Sequence, residues 1–188
     1  MRLAKLAEIE GQTIVIEWRS FLLRPEPEER SMESFTRYTH SWERPAELEP
    51  SAGFVVPWSG EHEPPSHSLP AAIASRVAAT FGGPWAAYHG ALLHAYFVEH
   101  RTISNFDVLI DLAGRVGIDP HEFAERFHSG ANDYARQSID DHNTAVEAGI
   151  GGVPAVVVDG RYLVSGAVDV EEYQNVLERV RAERAASG

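Results

Sequence analysis

The residue types that most often carry catalysis are absent or scattered in this chain. It has no cysteine among its 188 residues, which excludes disulfides, thiolate metal sites and cysteine nucleophiles together. Nine histidines are present, but their spacing matches no common pattern of metal ligands. His121, Glu125 and His128 approach one helix face, and no further cluster joins them. We therefore interpret the histidines as surface or half-buried side chains.

One proline near the C-terminus has a spacing that suggests a role. Pro154 follows Gly151, Gly152 and Val153 and precedes an apolar run. Proline as the first residue of a strand has no N–H and does not join the ladder there. An X-Pro bond can also be cis at modest cost, and a cis bond at such a place is a specific structural feature. Gly152 would allow another chain to approach closely.

A β-hairpin and a closing helix position this proline. Residues 154–158 (PAVVV) and 161–164 (RYLV) are short runs typical of strands, and Asp159-Gly160 joins them. Asp-Gly between two such runs predicts a tight hairpin, because both turn residues must accept positive φ. Residues 169–185 then have the apolar spacing of a helix.

The rest of the chain is predicted to be mainly helical. Residues 2–10 form a helix that stops at Gly11, and residues 13–18 form a strand rich in β-branched residues. Prolines rule out regular structure over residues 45–70, which we expect to be a long surface excursion. Further helices are expected over residues 31–43, 70–81, 84–101 and 131–148. Two more are expected to begin at the Asn105 cap and at the Asp119-Pro120 pair.

Composition narrows the function classes. The 16 basic and 28 acidic side chains give a net charge of −12, which repels phosphate backbones and anionic lipid. We expect neither a nucleic-acid partner nor a membrane partner. No apolar run approaches the roughly 18 residues that span a bilayer, and the N-terminus lacks the apolar core of a signal peptide. A cytoplasmic location is the expectation.

The C-terminal motif resembles one family. Residues 151–167 (GGVPAVVVDGRYLVSGA) are similar to the Gly-Val-Pro step, hairpin and Ser-Gly-Ala exit of the thioredoxin-like DsbA family, in its FrnE-like and 2-hydroxychromene-2-carboxylate isomerase-like branches. Residues 17–23 (EWRSFLL) resemble the end of that family's second strand. The resemblance implies an α/β thioredoxin-like fold with an all-helical insertion. Residues 1–30 and 150–188 would form the core, and residues 31–149 the insertion.

The resemblance also implies a substrate site. In thioredoxin-like proteins the proline is cis and turns the backbone of the preceding residue outward, so Val153 would pair with an extended substrate as an added strand does. Gly152, Val153 and Pro154 are therefore the expected substrate-binding residues. Trp18 and Phe21 are the aromatic candidates for the groove in which the family binds substrate.

The chain departs from the family at its catalytic motif. The family's Cys-x-x-Cys follows its first strand, and both are missing here, since Met1 falls inside what resembles the first helix. The missing strand would lie between the strands at 13–18 and 155–158. Those two must then pair with each other or leave two rows of backbone groups unsatisfied. Either an upstream segment supplies the strand, which we favour, or the protein is a degenerate member without redox chemistry.

Three functions remain open. The leading one is a DsbA-family thiol-disulfide oxidoreductase-like protein whose chain lacks the catalytic dithiol and is itself redox-inactive. The second is a glutathione-dependent isomerase or transferase-like enzyme of the same fold, and the third is a catalytically inactive binding module. No catalytic residue, metal or cofactor is expected in the chain, apart from glutathione under the second. The expected partner is a small-molecule thiol or a peptide or protein substrate, and a homodimer is one way to cover unpaired sheet edges.

Overall fold

The computed structural model describes residues 2–59 and 61–187. Met1, which the resemblance places inside the family's first helix, lies outside the described residues. The described residues form eight α-helices, one two-stranded sheet and three short 3-10 turns. The helices are α1 (Arg2–Glu10), α2 (Met32–Thr39), α3 (Glu43–Leu48), α4 (Leu69–Ala79), α5 (Trp85–Phe97), α6 (Phe106–Arg115), α7 (Pro120–Glu147) and α8 (Val170–Ser187). The strands are β1 (Ala155–Val158) and β2 (Tyr162–Ser165), and the 3-10 turns are Gly11–Thr13, His40–Trp42 and Pro50–Ala52.

The predicted C-terminal hairpin is confirmed. β1 pairs with β2 in antiparallel register, so that Val156 lies opposite Val164. Asp159 and Gly160 both have positive φ, at 56° and 66°, as the tight turn requires. The turn is closed by the Arg161 N–H, which donates to the Val158 carbonyl at 3.1 Å.

The strand predicted at residues 13–18 is wrong. Thr13 ends a 3-10 turn, and residues 14–17 belong to no ladder in the described structure. They keep the burial alternation of a strand, with Ile14 and Ile16 half-buried and Val15 and Glu17 exposed. A strand is completed by hydrogen bonds to a neighbour, and within the described residues β1 bonds only to β2. The sheet therefore has not closed by pairing these two segments.

The helix predictions hold with three corrections. Asn105 caps α6 as predicted, its side chain accepting from the Asp107 N–H at 2.8 Å. α5 ends at Phe97, four residues before the predicted Arg101. The two helices predicted after residue 119 are one, α7, because an internal glycine such as Gly130 costs only about 1 kcal/mol. The proline-rich excursion is not free of structure, since α3 extends into it.

The chain divides into two compact units, Met1–Phe21 with Asn143–Gly188, and Leu22–His142. The boundaries expected from the resemblance were at 30/31 and 149/150. In the first unit, Leu6, Val164 and Tyr173 form the buried centre, against which Val156 and Val158 of β1 pack. The second unit is helical among its described residues and buries a larger cluster drawn from α4, α5, α6 and α7. The hairpin that carries Pro154 thus belongs to the first unit.

Candidate functional site

The segment before β1 presents an open stretch of backbone. The Val153–Pro154 peptide bond is cis, and the Val153 residue is 51% exposed. The backbone of Val153 makes no hydrogen bond to any residue of 2–59 or 61–187. A Cβ added to Gly152 would meet no atom within 4 Å. The space beside Gly152 and Val153 is therefore free for another chain to enter.

The hydrogen bonds of the hairpin fix which residues of β1 face its free edge. The Gly166 N–H donates to the Pro154 carbonyl at 2.8 Å. In an antiparallel ladder the bonded residues alternate, so Val156 and Val158 turn their N–H and C=O groups toward β2. The N–H and C=O groups of Ala155 and Val157 consequently point away from β2, to the edge of β1 that has no partner strand among residues 2–59 and 61–187.

A groove of about 390 Å³ lies along that free edge. We call it the β1 groove, and it lies wholly within the first unit. It is lined by residues 14–17, by residues 156–159 and by side chains of α1 and α8. The apolar helix side chains are Leu3, Leu6, Tyr173, Leu177 and Val180. The groove therefore has an apolar lining between two extended segments that are not paired with each other.

The charged residues of the β1 groove are already in ion pairs. Arg181 contacts the Glu10 carboxylate at 2.6 Å, and this hydrogen bond is the main reason that the pKa of Glu10 is lowered. Arg184 pairs with Asp159, and Glu17 pairs with Arg19 at 2.5 Å. The charges of these residues therefore cancel in pairs, and they offer no net charge to an ionic ligand in the groove.

The structure places the five predicted substrate-binding residues in two places. Gly152, Val153 and Pro154 are consecutive and precede β1, whereas Trp18 and Phe21 lie in the irregular segment after α1. Trp18 is 52% exposed and Phe21 is half-buried. None of the five is among the described residues that line the β1 groove. Their role in substrate binding stays a prediction.

The resemblance placed a missing strand between residues 13–18 and 155–158, and the β1 groove lies between these two segments. Its lining by side chains of α1 and α8 was not predicted from the sequence. The signal for this lining is the apolar spacing of Leu3 and Leu6 in α1 and of Tyr173, Leu177 and Val180 in α8.

The described part of the chain holds no group of three or more metal-ligating side chains. Its most buried histidine, His100, is 2% exposed. His100 Nδ1 accepts from the Ser59 N–H at 2.7 Å, and Nε2 lies 2.8 Å from the Val55 carbonyl. Both ring nitrogens are thus occupied, and the ring stacks on Trp58 with 4.8 Å between centroids. His100 joins loop and helix segments of the second unit.

Among the described helices, none combines the length and the apolar character needed to cross a membrane.

Comparison with protein families gives one match. The profile of the DSBA-like thioredoxin domain matches residues 1–178. No curated protein sequence matches the chain.

Solved structures with the same fold are distant in sequence. A Nitrosomonas europaea protein described as a candidate protein disulfide isomerase superposes with a TM-score of 0.71 at 16% identity, covering 96% of this chain and 88% of that one. The cytosolic disulfide reductase DsbM of Pseudomonas aeruginosa with GSH has a TM-score of 0.70 at 21% identity, with 99% and 89% covered. A Streptomyces coelicolor protein described as a probable DsbA oxidoreductase has a TM-score of 0.66 at 23% identity, with 97% and 82% covered.

Proposed function

The chain belongs to the DSBA-like thioredoxin domain family, and from that premise we propose that it is a thiol-disulfide oxidoreductase-like protein that binds an extended thiol or peptide substrate without dithiol chemistry of its own. Its fold is the α/β thioredoxin-like fold with a helical insertion. A thiolate is the nucleophile of disulfide exchange, and the 188 residues contain no cysteine. The chain therefore has no thiolate with which to exchange the disulfides of such a substrate.

The observation that carries the proposal is the open backbone at Val153. Its N–H and C=O are unpaired among the described residues, and the adjoining Gly152 has no side chain to block an approaching chain. Extended peptides bind exposed backbone of this kind through main-chain hydrogen bonds, which give affinity with little dependence on sequence. Trp18 and Phe21 would add apolar contact if the bound peptide extends toward them.

Two glycine variants test the substrate site. Gly152→Val places side-chain atoms where the peptide would approach, whereas Gly151→Val makes the same change one residue earlier. A Cβ at either position meets nothing within 4 Å and neither glycine has positive φ, so both variants should fold. We expect binding of a dye-labelled, cysteine-containing unfolded peptide, followed by fluorescence anisotropy, to weaken about ten-fold or more for Gly152→Val only. Equal binding by both variants would place the substrate elsewhere.

Glutathione is a second candidate ligand. The DsbM structure that superposes on 99% of this chain is described with GSH, and glutathione is a short extended thiol peptide that Val153 could pair with in the same way. Titration of the chain with reduced glutathione, with the same two glycine variants, tests this. Saturable binding that Gly152→Val abolishes supports the glutathione-dependent enzyme, whereas binding of long peptides alone supports the peptide-binding function.

We also propose that the protein is a FrnE-like member of the family and acts in the cytoplasm. The support is the similarity of residues 151–167 to the FrnE-like motif, and the cytosolic location given for the Pseudomonas protein. Cell fractionation with an antibody to the protein tests the location.

A further inference from the structure

We propose that the Arg24 guanidinium binds the carboxylate group of a small organic acid or of a peptide C-terminus, with the Tyr96 hydroxyl as a second donor. We call these two side chains the Arg24 site. Both belong to the second unit, Leu22–His142, whereas the substrate site at Val153 belongs to the first. The proposal therefore goes beyond the proposed function.

The Arg24 side chain has donors that the protein does not use. Its Nη2 donates to the Tyr96 hydroxyl oxygen at 3.1 Å. Its Nη1 is buried and has no hydrogen-bond partner, and it is the only such side-chain atom in the part of the chain that the structure describes. The Arg24 Nε also lacks a partner among those residues, but it reaches solvent. Unsatisfied buried donors are rare in folded proteins, so this one needs an explanation.

The charge of Arg24 has no counter-ion. The residue is half-buried, and no carboxylate of residues 2–59 or 61–187 forms an ion pair with it. The other arginine of this segment, Arg30, is neutralised by Glu28 at 2.7 Å. The Arg24 Cζ lies 5.3 Å from the centroid of the Phe35 ring, and a cation–π contact offsets only part of the cost of desolvating a charge. A bound anion would supply the missing counter-charge.

The free donors have the arrangement that a carboxylate needs. Nε and Nη2 lie on the same edge of the planar guanidinium, and two N–H groups on one edge match the two oxygens of a carboxylate. Burial raises the pKa of Tyr96 to about 12, so its hydroxyl keeps the proton at neutral pH. That hydroxyl accepts from Arg24, and its own proton has no acceptor among the described residues. It is therefore free to donate to an anion bound beside Arg24.

Both side chains are held in place before any ligand binds. The Arg24 N–H donates to Ser68 Oγ at 3.1 Å, and the Ser68 N–H donates to the Arg24 carbonyl at 2.8 Å. The Tyr96 ring packs against Trp42 and Trp58, with 5.2 and 5.7 Å between ring centroids. Less side-chain ordering is then lost on binding, which favours affinity.

The charges around the Arg24 site favour an anion with a single charge. The net charge of −12 opposes the approach of a dianion such as phosphate more strongly than that of a monoanion. Burial and then the charge of Arg24 lower the pKa of His67, and the charge of Glu26 acts in the opposite direction. His67 is therefore neutral at pH 7, while the Glu26 carboxylate lies near enough to weaken anion binding without pairing with Arg24.

The experiment titrates the full chain with benzoate and with benzamide, which keeps the ring and lacks the charge. Proton–nitrogen correlation spectra of the arginine Nε–H groups follow the binding. We expect benzoate to bind saturably with a dissociation constant of about 1 mM and to shift the Arg24 signal. Benzamide should bind at least about ten-fold more weakly. Equal binding of the two compounds, or an Arg24 signal that does not move, would overturn the proposal.

Two arginine variants test the assignment. Arg24→Gln should weaken benzoate binding about ten-fold or more. Arg30→Gln removes an arginine that Glu28 already neutralises, so it should weaken binding less than about two-fold. Tyr96→Phe keeps the ring and should weaken binding about three- to ten-fold. Equal loss for both arginine variants would show a general effect of positive charge and would overturn the proposal.

A glutamate variant keeps the proposal falsifiable if Arg24→Gln fails to fold. Glu26→Gln removes the acidic group near the Arg24 site, so it should tighten benzoate binding about two-fold. Glu171→Gln makes the same change in the first unit and should leave binding unchanged. Unchanged or weaker binding for Glu26→Gln would overturn the proposal.

A pair of peptides distinguishes the two sources of a carboxylate. An acetylated tripeptide that ends in phenylalanine is added to the benzoate complex, once with a free C-terminus and once amidated. Displacement of benzoate by the free acid alone supports a site that also takes peptide C-termini, and displacement by neither supports a site for small acids. Equal displacement by the amide would overturn the proposal, because the amide carries no carboxylate.

Discussion

Replacing His100 should cost more stability than any other histidine substitution in the described structure. The ring is 2% exposed and bridges the Ser59 N–H and the Val55 carbonyl, and it stacks on Trp58. His100→Ala leaves a donor and an acceptor without partners at about 1–3 kcal/mol each, and removes a stacking contact of about 0.5–1.5 kcal/mol. Allowing for partial relaxation and water entry, we expect a loss of about 3–5 kcal/mol in the free energy of unfolding.

The backbone at His100 provides an internal control. Its φ is 53°, in the left-handed region that favours glycine. His100→Gly should therefore lose about 1 kcal/mol less than His100→Ala, since it lacks the ring equally but relieves the Cβ of a left-handed backbone. His100→Asn should fall between wild type and alanine, because asparagine tolerates this backbone and can restore one of the two hydrogen bonds.

Urea unfolding followed by tryptophan fluorescence and far-ultraviolet circular dichroism measures these differences. The unfolding curves from the two probes should coincide if the protein unfolds in one step. A loss below about 1 kcal/mol for His100→Ala, the range of surface substitutions, would refute the structural role assigned to this ring.

Two further predictions concern buried and half-buried charge. Asp141→Ala should destabilise the protein by about 3 kcal/mol in urea unfolding, because the carboxylate is 7% exposed and the charge of its partner Arg76 would be left uncompensated. Asp133→Ala, which breaks the exposed ion pair with Arg136, should cost under about 1 kcal/mol. Similar losses for both variants would contradict a stabilising role for the Arg76–Asp141 pair. Burial lowers the pKa of His89 from its ordinary 6.5, so the unfolded state binds the proton first and stability should fall as the pH drops below about 6.5. His89→Gln should make that fall shallower between pH 7.5 and pH 5.5, and an unchanged slope would show that His89 does not contribute to it.

The C-terminal hairpin could be predicted from sequence because its determinants are local. Asp159-Gly160 selects the turn, and the flanking apolar runs supply the strands, so no distant residue has to be known. The Asn105 cap was predictable for the same reason, since the acceptor and the Asp107 N–H are two residues apart.

The segment at 13–18 shows where local pattern fails. Its residues have the composition of a strand, but a strand forms only with a neighbour that completes its hydrogen bonds. In the part of the chain that the structure describes, β1 bonds only to β2. Likewise, whether Gly130 ends a helix or lies inside α7 depends on the packing of that helix, which the sequence around residue 130 does not encode.

The candidate site divides in the same way. Gly152, Val153 and Pro154 are adjacent in sequence, so a motif could identify them together. The β1 groove brings residues 14–17 beside residues 156–159, about 140 positions later in the chain. Such a juxtaposition depends on tertiary packing, for which neither segment carries a local signal.

The central claim, that this thioredoxin-like chain binds an extended substrate at Val153 without exchanging its disulfides, is tested most directly in one sample. A peptide joined to a fluorophore by a disulfide is mixed with excess chain and reduced glutathione, and anisotropy and release of the fluorophore are followed together. We predict saturable binding that Gly152→Val weakens and Gly151→Val does not, with release no faster than in the same glutathione solution without the chain, as in an insulin-reduction assay. Release faster than in that chain-free solution, or no binding at all, would contradict the claim.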